Sequence, residues 1–244
     1  MRVAIRVVLA LPTLVALAWL IAGCGAPPQS PQPRPAVAEA AAFTTVPGAP
    51  KGVPVEAVRY FRAIVREAGY YWGLSAPTPT FFAQVHQESR FRAEARSKYA
   101  AGLAQFTPQT AAGMQAQYPD LRVLCGEGSG CALDPGWAIR AMVLYDRALW
   151  RGRAFAAGDE RLAFMLADYN GGAGWVNRER AACLAAPPAG EPGGCDATRY
   201  FGNVRDFCGK SVPARAAWAC EENTRYPRVI IVTWRPLYDR WLNR

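Results

Sequence analysis

The chain has 244 residues, 51% of them hydrophobic, with 28 Lys+Arg against 19 Asp+Glu and a formal net charge of +9. That composition excludes a disordered chain and leaves room for one or two domains. The single histidine, His86, excludes a His-rich metal centre and leaves any Ser-His-Asp or Cys-His hydrolase to be built on that one ring. Seven cysteines with no Cys-x-x-Cys pair disfavour zinc ribbons and thioredoxin-type redox motifs.

Residues 1–23 begin with Arg2 and Arg6 and continue as an apolar run from Val7 to Ala22, broken only by Pro12 and Thr13. The run is short for a membrane span and ends in small residues, which is the pattern of an export signal. Ile21-Ala22-Gly23-Cys24 resembles the bacterial lipobox, in which cleavage precedes a cysteine that is then lipidated. Cys24 is therefore the expected lipidation site and membrane anchor. Loss of Arg2 and Arg6 takes the net charge from +9 to +7. Gly25, rather than Asp, after that cysteine favours an outer-membrane destination facing the periplasm. Residues 24–52 carry prolines at 27, 28, 31, 33, 35, 47 and 50 among Gln, Ala and Gly, and read as an extended tether without a core.

Residues 53–244 are expected to form one folded domain, mainly α. Val55, Val58, Phe61, Ile64 and Ala68 predict a helix over 54–68. Thr78-Pro79, Thr107-Pro108 and Asp134-Pro135 read as helix starts with proline in the first turn, and Asp159 as a fourth cap. Helical patterns also cover 174–185, 196–207 and 223–233, with Pro236 bending or ending the last; only Val229–Thr233 alternates as a strand would. Six cysteines lie in this part, an even number once Cys24 is set aside, which fits an oxidising compartment. Many connectivities are open; sequential pairing (Cys125–Cys131, Cys183–Cys195, Cys208–Cys220) closes three short loops, the first two rich in Gly, Ser or Pro.

The chemistry gathers around Glu88, in His86-Gln87-Glu88-Ser89-Arg90-Phe91. It lies three positions after Val85 and seven after Phe81, on or beside the apolar stripe near a helix end. A carboxyl there loses solvation and rises toward the range of a general acid; the plainer alternative is a surface acid paired with Arg90 or Arg92. Two further segments bear on that choice. Gly102-Leu103-Ala104-Gln105 with Pro108 is a tight approach to a helix, and Tyr169-Asn170-Gly171-Gly172 joins two helices through glycine, offering a ring face and amide hydrogen bonds.

Together with Ser97 and Glu222-Asn223-Thr224-Arg225-Tyr226, these segments, in this order, resemble the SLT-type lytic transglycosylases of the lysozyme-like superfamily. The resemblance covers about 81–232. It implies a goose-type, SLT-like helical domain with a substrate cleft, acting on peptidoglycan glycan strands without cofactor or metal. Glu88 would be the single catalytic acid/base, forming 1,6-anhydro ends. Gln105, Tyr169, Asn170 and Tyr226 would line the cleft, Ser97 would bind the substrate's acetamido or ring oxygens, and Glu222 would be a supporting carboxylate. The sequence departs from the family at Ala104, where Met is usual, in a Ser97–Gly102 stretch one residue short, and at Asp168, where Ala usually precedes Tyr-Asn.

A second acid at Asp168 would suit a hydrolytic muramidase; a helix, however, turns it about 100° from Tyr169, so a structural or solvated role is expected. A non-catalytic wall-binding lipoprotein is the other alternative. His86 should diverge from Glu88 as an ordinary helix histidine. Trp175 is the best sugar-platform candidate among tryptophans that otherwise suit a core, and 187–195 is a candidate blocker of one cleft end. Scattered arginines in an exported chain argue against nucleic acid as partner, while a basic rim suits anionic peptidoglycan; wall or secretion machinery is a possible further partner.

Overall fold

The computed structural model describes residues 48–126, 129–209 and 217–243. The expected signal peptide, Cys24 and most of the proline-rich tether lie outside the described residues. The described part is built from helices and turns.

Helix α1 (Ala57–Trp72) buries Ala57, Tyr60, Phe61, Ile64 and Ala68 along one stripe. It starts three residues later than the spacing predicts and runs on past Gly69 to Gly73, whose positive φ ends it. The extra turn is held from outside: Trp72 Nε1 donates to the Val143 carbonyl at 3.0 Å. Helix α2 (Thr78–Ser89) is enclosed along most of its length, burying Phe81, Phe82, Ala83 and Val85 together with the polar Thr80, Gln84, His86 and Ser89. It stops where Arg90 and Phe91 both turn left-handed, at φ 51° and 62°.

The proline-marked starts fall where the sequence puts them. Thr107 caps α3 (Pro108–Gln117), its Oγ1 accepting from Thr110 N at 3.1 Å. Asp134 caps α5 (Pro135–Arg151), its Oδ1 accepting from Trp137 N at 2.7 Å. Between them, α4 (Pro119–Cys125) was not signalled by periodicity. Helix α6 (Gly158–Gly171) is capped by Ala157, so Asp159 stands in the first turn and reaches Arg235 at 2.6 and 2.7 Å instead of capping. Helix α7 (Ala173–Leu184) follows directly after Gly172.

Two expectations need correction. The segment 196–207 is not a helix: beyond a short 3-10 turn (Val204–Phe207) it is a run of turns, anchored where Glu160 Oε2 accepts from Tyr200 N at 2.6 Å and Phe201 N at 3.3 Å. The segment 223–233 is helical, as its pattern predicts, and Val229–Thr233 is no strand, but the chain does not end its helical run at Pro236. Helix α8 (Ala217–Arg228) carries Pro227 and passes into a widened π turn (Val229–Trp234), and Pro236 sits in the first turn of α9 (Arg235–Leu242). A proline with no N–H to donate fits the wider turn that follows it.

Helix α2 is the centre of the packing, against α1, α9 and the π turn, while α6 packs against α5, α7 and α8. Phe61, Phe82, Tyr238 and Trp241 form an aromatic knot over α2, with Phe61–Trp241 centroids 4.8 Å apart and Phe82–Tyr238 5.4 Å. Buried ion pairs tie the rest: Arg140 of α5 to Glu67 of α1 at 2.9 Å, and Arg153 to Asp168 of α6 at 2.5 Å. The cysteines pair sequentially, with Cα–Cα distances of 5.5 Å (Cys125–Cys131), 5.5 Å (Cys183–Cys195) and 5.7 Å (Cys208–Cys220). Among the described residues no helix is long and apolar enough to cross a membrane.

Candidate active site

Glu88 is the penultimate residue of α2, two residues before the left-handed corner. Its side chain keeps partial exposure, but the carboxyl is closely packed by protein. Tyr226, brought in by α8, donates a hydrogen bond from Oη to Glu88 Oε1. Burial pushes the Glu88 carboxyl up to about 8; the Tyr226 bond opposes that rise, and the charge of Glu222 adds to it. At neutral pH Glu88 therefore holds its proton. With Oε1 accepting from Tyr226, Oε2 is the oxygen placed to carry it.

Tyr169 lies beside Tyr226. Its ring is parallel to that of Tyr226, 3° between planes and 6.5 Å between centroids. Tyr169 Oη donates to the Ala104 carbonyl at 2.7 Å, which joins the end of α6 to the loop before α3. Burial, with Glu88 and Asp146 nearby, raises both phenols well above their ordinary range, so each stays a neutral donor. Asn170 Nδ2 donates to Asn223 Oδ1 at 3.2 Å, leaving the Asn170 carbonyl oxygen for a ligand.

The Gly102–Gln105 loop is rigid for identifiable reasons. Gly102 adopts φ 82°, and a Cβ there would overlap the Ala132 carbonyl, so only glycine fits. Gln105 is left-handed at φ 46°, and its Nε2 donates to the Ala95 and Gly102 carbonyls at 3.2 and 3.0 Å. Gln105 thus pins its own loop with the amide nitrogen. Ala104 is fully buried, and its carbonyl is what Tyr169 uses.

Glu88, Tyr169, Asn170 and Tyr226 are thus brought to one place, with Gln105 in the loop that Tyr169 touches. Ser97 stands apart. It is exposed, and its Oγ closes a local turn, accepting from Ala100 N at 3.0 Å and Tyr99 N at 3.3 Å. Glu222 is exposed and acts on Glu88 through its charge rather than through a hydrogen bond. Its neighbour Asn223 is buried and is bonded to Asn170.

Asp168 is structural, and buried rather than solvated. Both oxygens are taken by Arg153, at 2.5 and 2.6 Å, and Arg153 also donates to Asn177 Oδ1 at 2.6 Å. Burial carries Asp168 up to about 6 against the pull of that guanidinium, so it is ionised at neutral pH but fully engaged. His86 is a core histidine: its Nδ1 lies 2.9 Å from Tyr238 Oη, its ring stacks on Trp234 at 4.1 Å, and burial lowers it to about 4. Trp175 is half-buried with the Arg178 guanidinium 4.1 Å over its ring. A groove of about 670 Å³ is lined by Val53, Pro54, His86, Arg90, Arg92 and Trp234; Glu88 is not part of its wall. No group of residues that could hold a metal occurs among the described residues.

Residues 68–183 match the family model of the Transglycosylase SLT domain. The match takes in Glu88, the Gly102–Gln105 loop and Tyr169-Asn170, and stops short of Tyr226. That stretch is thus similar to an SLT domain, and it lies in a chain whose described residues are mainly helical. No curated protein matched the chain.

Proposed function

We propose that the protein is a peptidoglycan lytic transglycosylase in which Glu88 alone serves as acid and then as base. The observation that carries this reading is a carboxyl kept protonated to about 8 at the end of α2, hydrogen-bonded by Tyr226 and adjoining the Tyr169-Asn170 turn. Glu88 Oε2–H protonates the glycosidic oxygen between N-acetylmuramic acid and N-acetylglucosamine. The bond between that oxygen and the anomeric carbon breaks, its electron pair going to the oxygen. The muramoyl 6-hydroxyl attacks the anomeric carbon and returns its proton to Glu88. The product is a 1,6-anhydro sugar, no water is consumed, and the enzyme regains its starting proton. One carboxyl suffices, whereas most glycosidases use two.

Asn170 and Gln105 Oε1 supply polar contacts for the sugar, the half-buried Tyr169 ring a stacking face, and Tyr226 lines the site through its bond to Glu88. Asp168 supports this reading over a hydrolytic one, because an acid gripped on both oxygens by Arg153 is poorly placed to activate water. We further infer that the enzyme is exported and anchored through lipidated Cys24 at the outer membrane, with residues 24–52 as its tether. Three disulfides in the folded part support an oxidising compartment.

Mass spectrometry of purified sacculi digested by the protein tests the reaction. Anhydro-muramoyl ends, lighter by one water than reducing ends, support it. Reducing ends would favour the muramidase, and intact sacculi the wall-binding alternative.

A further inference from the structure

Thr80, Gln84 and Glu88 stand four residues apart along α2 and so share one stripe of the helix. The first two of these positions are enclosed, Thr80 at 1% exposure and Gln84 at 0%. Asp146 of α5, also at 0%, meets Gln84, whose Nε2 donates to Asp146 Oδ1 at 3.4 Å. Three oxygens in this group, Thr80 Oγ1, Gln84 Oε1 and Asp146 Oδ2, are buried with no hydrogen-bond partner. Each such atom costs about 1–3 kcal/mol, so as packing alone the group would be improved by leucine. Directly behind a reactive carboxyl, a costly polar group invites another explanation.

An ionised Asp146 would be harder still to hold, with one long hydrogen bond and no cation. The titratable groups that interact with it are Glu88 from α2, Tyr145 on its own helix, Tyr169 from α6 and Tyr226 from α8. None offers it a free positive charge. Protonation removes the charge and converts an orphaned acceptor into a donor.

We propose that Asp146 is a positioning residue for Glu88: it remains an uncharged acid behind the site and, through Gln84, steadies the negative charge that Glu88 carries once its proton has left. The inference rests on the reading of Glu88 as the acid/base. Burial and the charge of Glu88 both hold Asp146 well above the ordinary carboxylate range, so it keeps its proton while Glu88 cycles. Gln84 lies one turn below Glu88 on the same stripe, and its amide nitrogen is held by Asp146. Charge that appears only during the reaction is best met by dipoles fixed in advance.

Carbon-13 NMR titration of the Glu88 carboxyl in the substrate-free protein tests this without needing turnover, so failure here is distinct from failure of the transglycosylase reading. The wild type should titrate near 8. Asp146→Asn, neutral and able to donate, should leave that midpoint in place. Asp146→Leu should raise it by about half a pH unit or more and lower kcat on sacculi about tenfold, with an unfolding temperature no lower than wild type. Should the leucine variant fail to fold, Gln84→Leu carries the same expectation. A midpoint unmoved by leucine at either position would overturn the proposal, and so would a midpoint lowered by Asp146→Asn, which would mean that Asp146 is charged.

Discussion

The molecule buries its acids in two ways. Where α1 meets α5 and where α6 meets the chain after α5, Glu67 and Asp168 are each enclosed against an arginine, Arg140 at 2.9 Å and Arg153 at 2.5 Å. Where α2 meets α5 and α8, Glu88 and Asp146 are enclosed with a tyrosine and a glutamine instead, and none of the ion pairs among the described residues reaches either. An arginine makes a buried acid a fastener. Without one, burial makes it a proton holder. Asp168 and Tyr169 are adjacent in sequence, yet one belongs to the fastened set and the other faces the proton holder.

Exchanging carboxyl for amide should separate the two sets. Glu88→Gln keeps the shape and an acceptor for Tyr226, and should lower turnover on sacculi by about 10³-fold or more while the circular-dichroism melt stays at or above wild type. Asp168→Asn leaves Arg153 without its counter-charge and should cost about 3–5 kcal/mol in denaturant unfolding, with turnover per folded molecule little changed. A catalytic role for Asp168 would reverse that pattern.

Smaller effects sharpen the contrast. Tyr226→Phe removes the donor that favours ionised Glu88, so the Glu88 midpoint should move above 8 and kcat fall roughly 10- to 100-fold. Stability should also track the proton. Glu88 ionises near 4.5 when unfolded but near 8 when folded, so the unfolded chain loses the proton first, and stability falls as pH rises from 4.5 to 8. Thermal melts across that window should decline less steeply in Glu88→Gln than in wild type.

Much of this was legible in the sequence where a local rule governs. Thr107 and Asp134 are helix caps because proline follows each, and the cysteines close loops of their own neighbourhood. Glu88, Tyr169, Asn170 and Tyr226 were legible as a set through the ordered motifs, and they do meet. What was not legible depends on distant partners. Residues 196–207 carry a helical pattern, yet Glu160 captures two of their backbone amides and holds them as turns. Val229–Thr233 alternates like a strand but follows Pro227 within a continuing helix, where a wider turn accommodates it. Asp146 gave no signal, since nothing local distinguishes an acid facing a buried glutamine from one facing water. Gln84, four residues before Glu88 in an apolar run, was the available hint. Asn223 stood inside a quoted motif without a role of its own, and it is the residue that reaches Asn170.

The pH dependence of kcat on soluble glycan strands tests the central claim most directly, because the reaction as derived needs Glu88 to hold a proton. Turnover should persist through neutral pH and fall along an alkaline limb centred near 8. A fall centred near 4.5, the ordinary range of an exposed glutamate, would show that Glu88 reacts as a solvated carboxylate and would contradict the account.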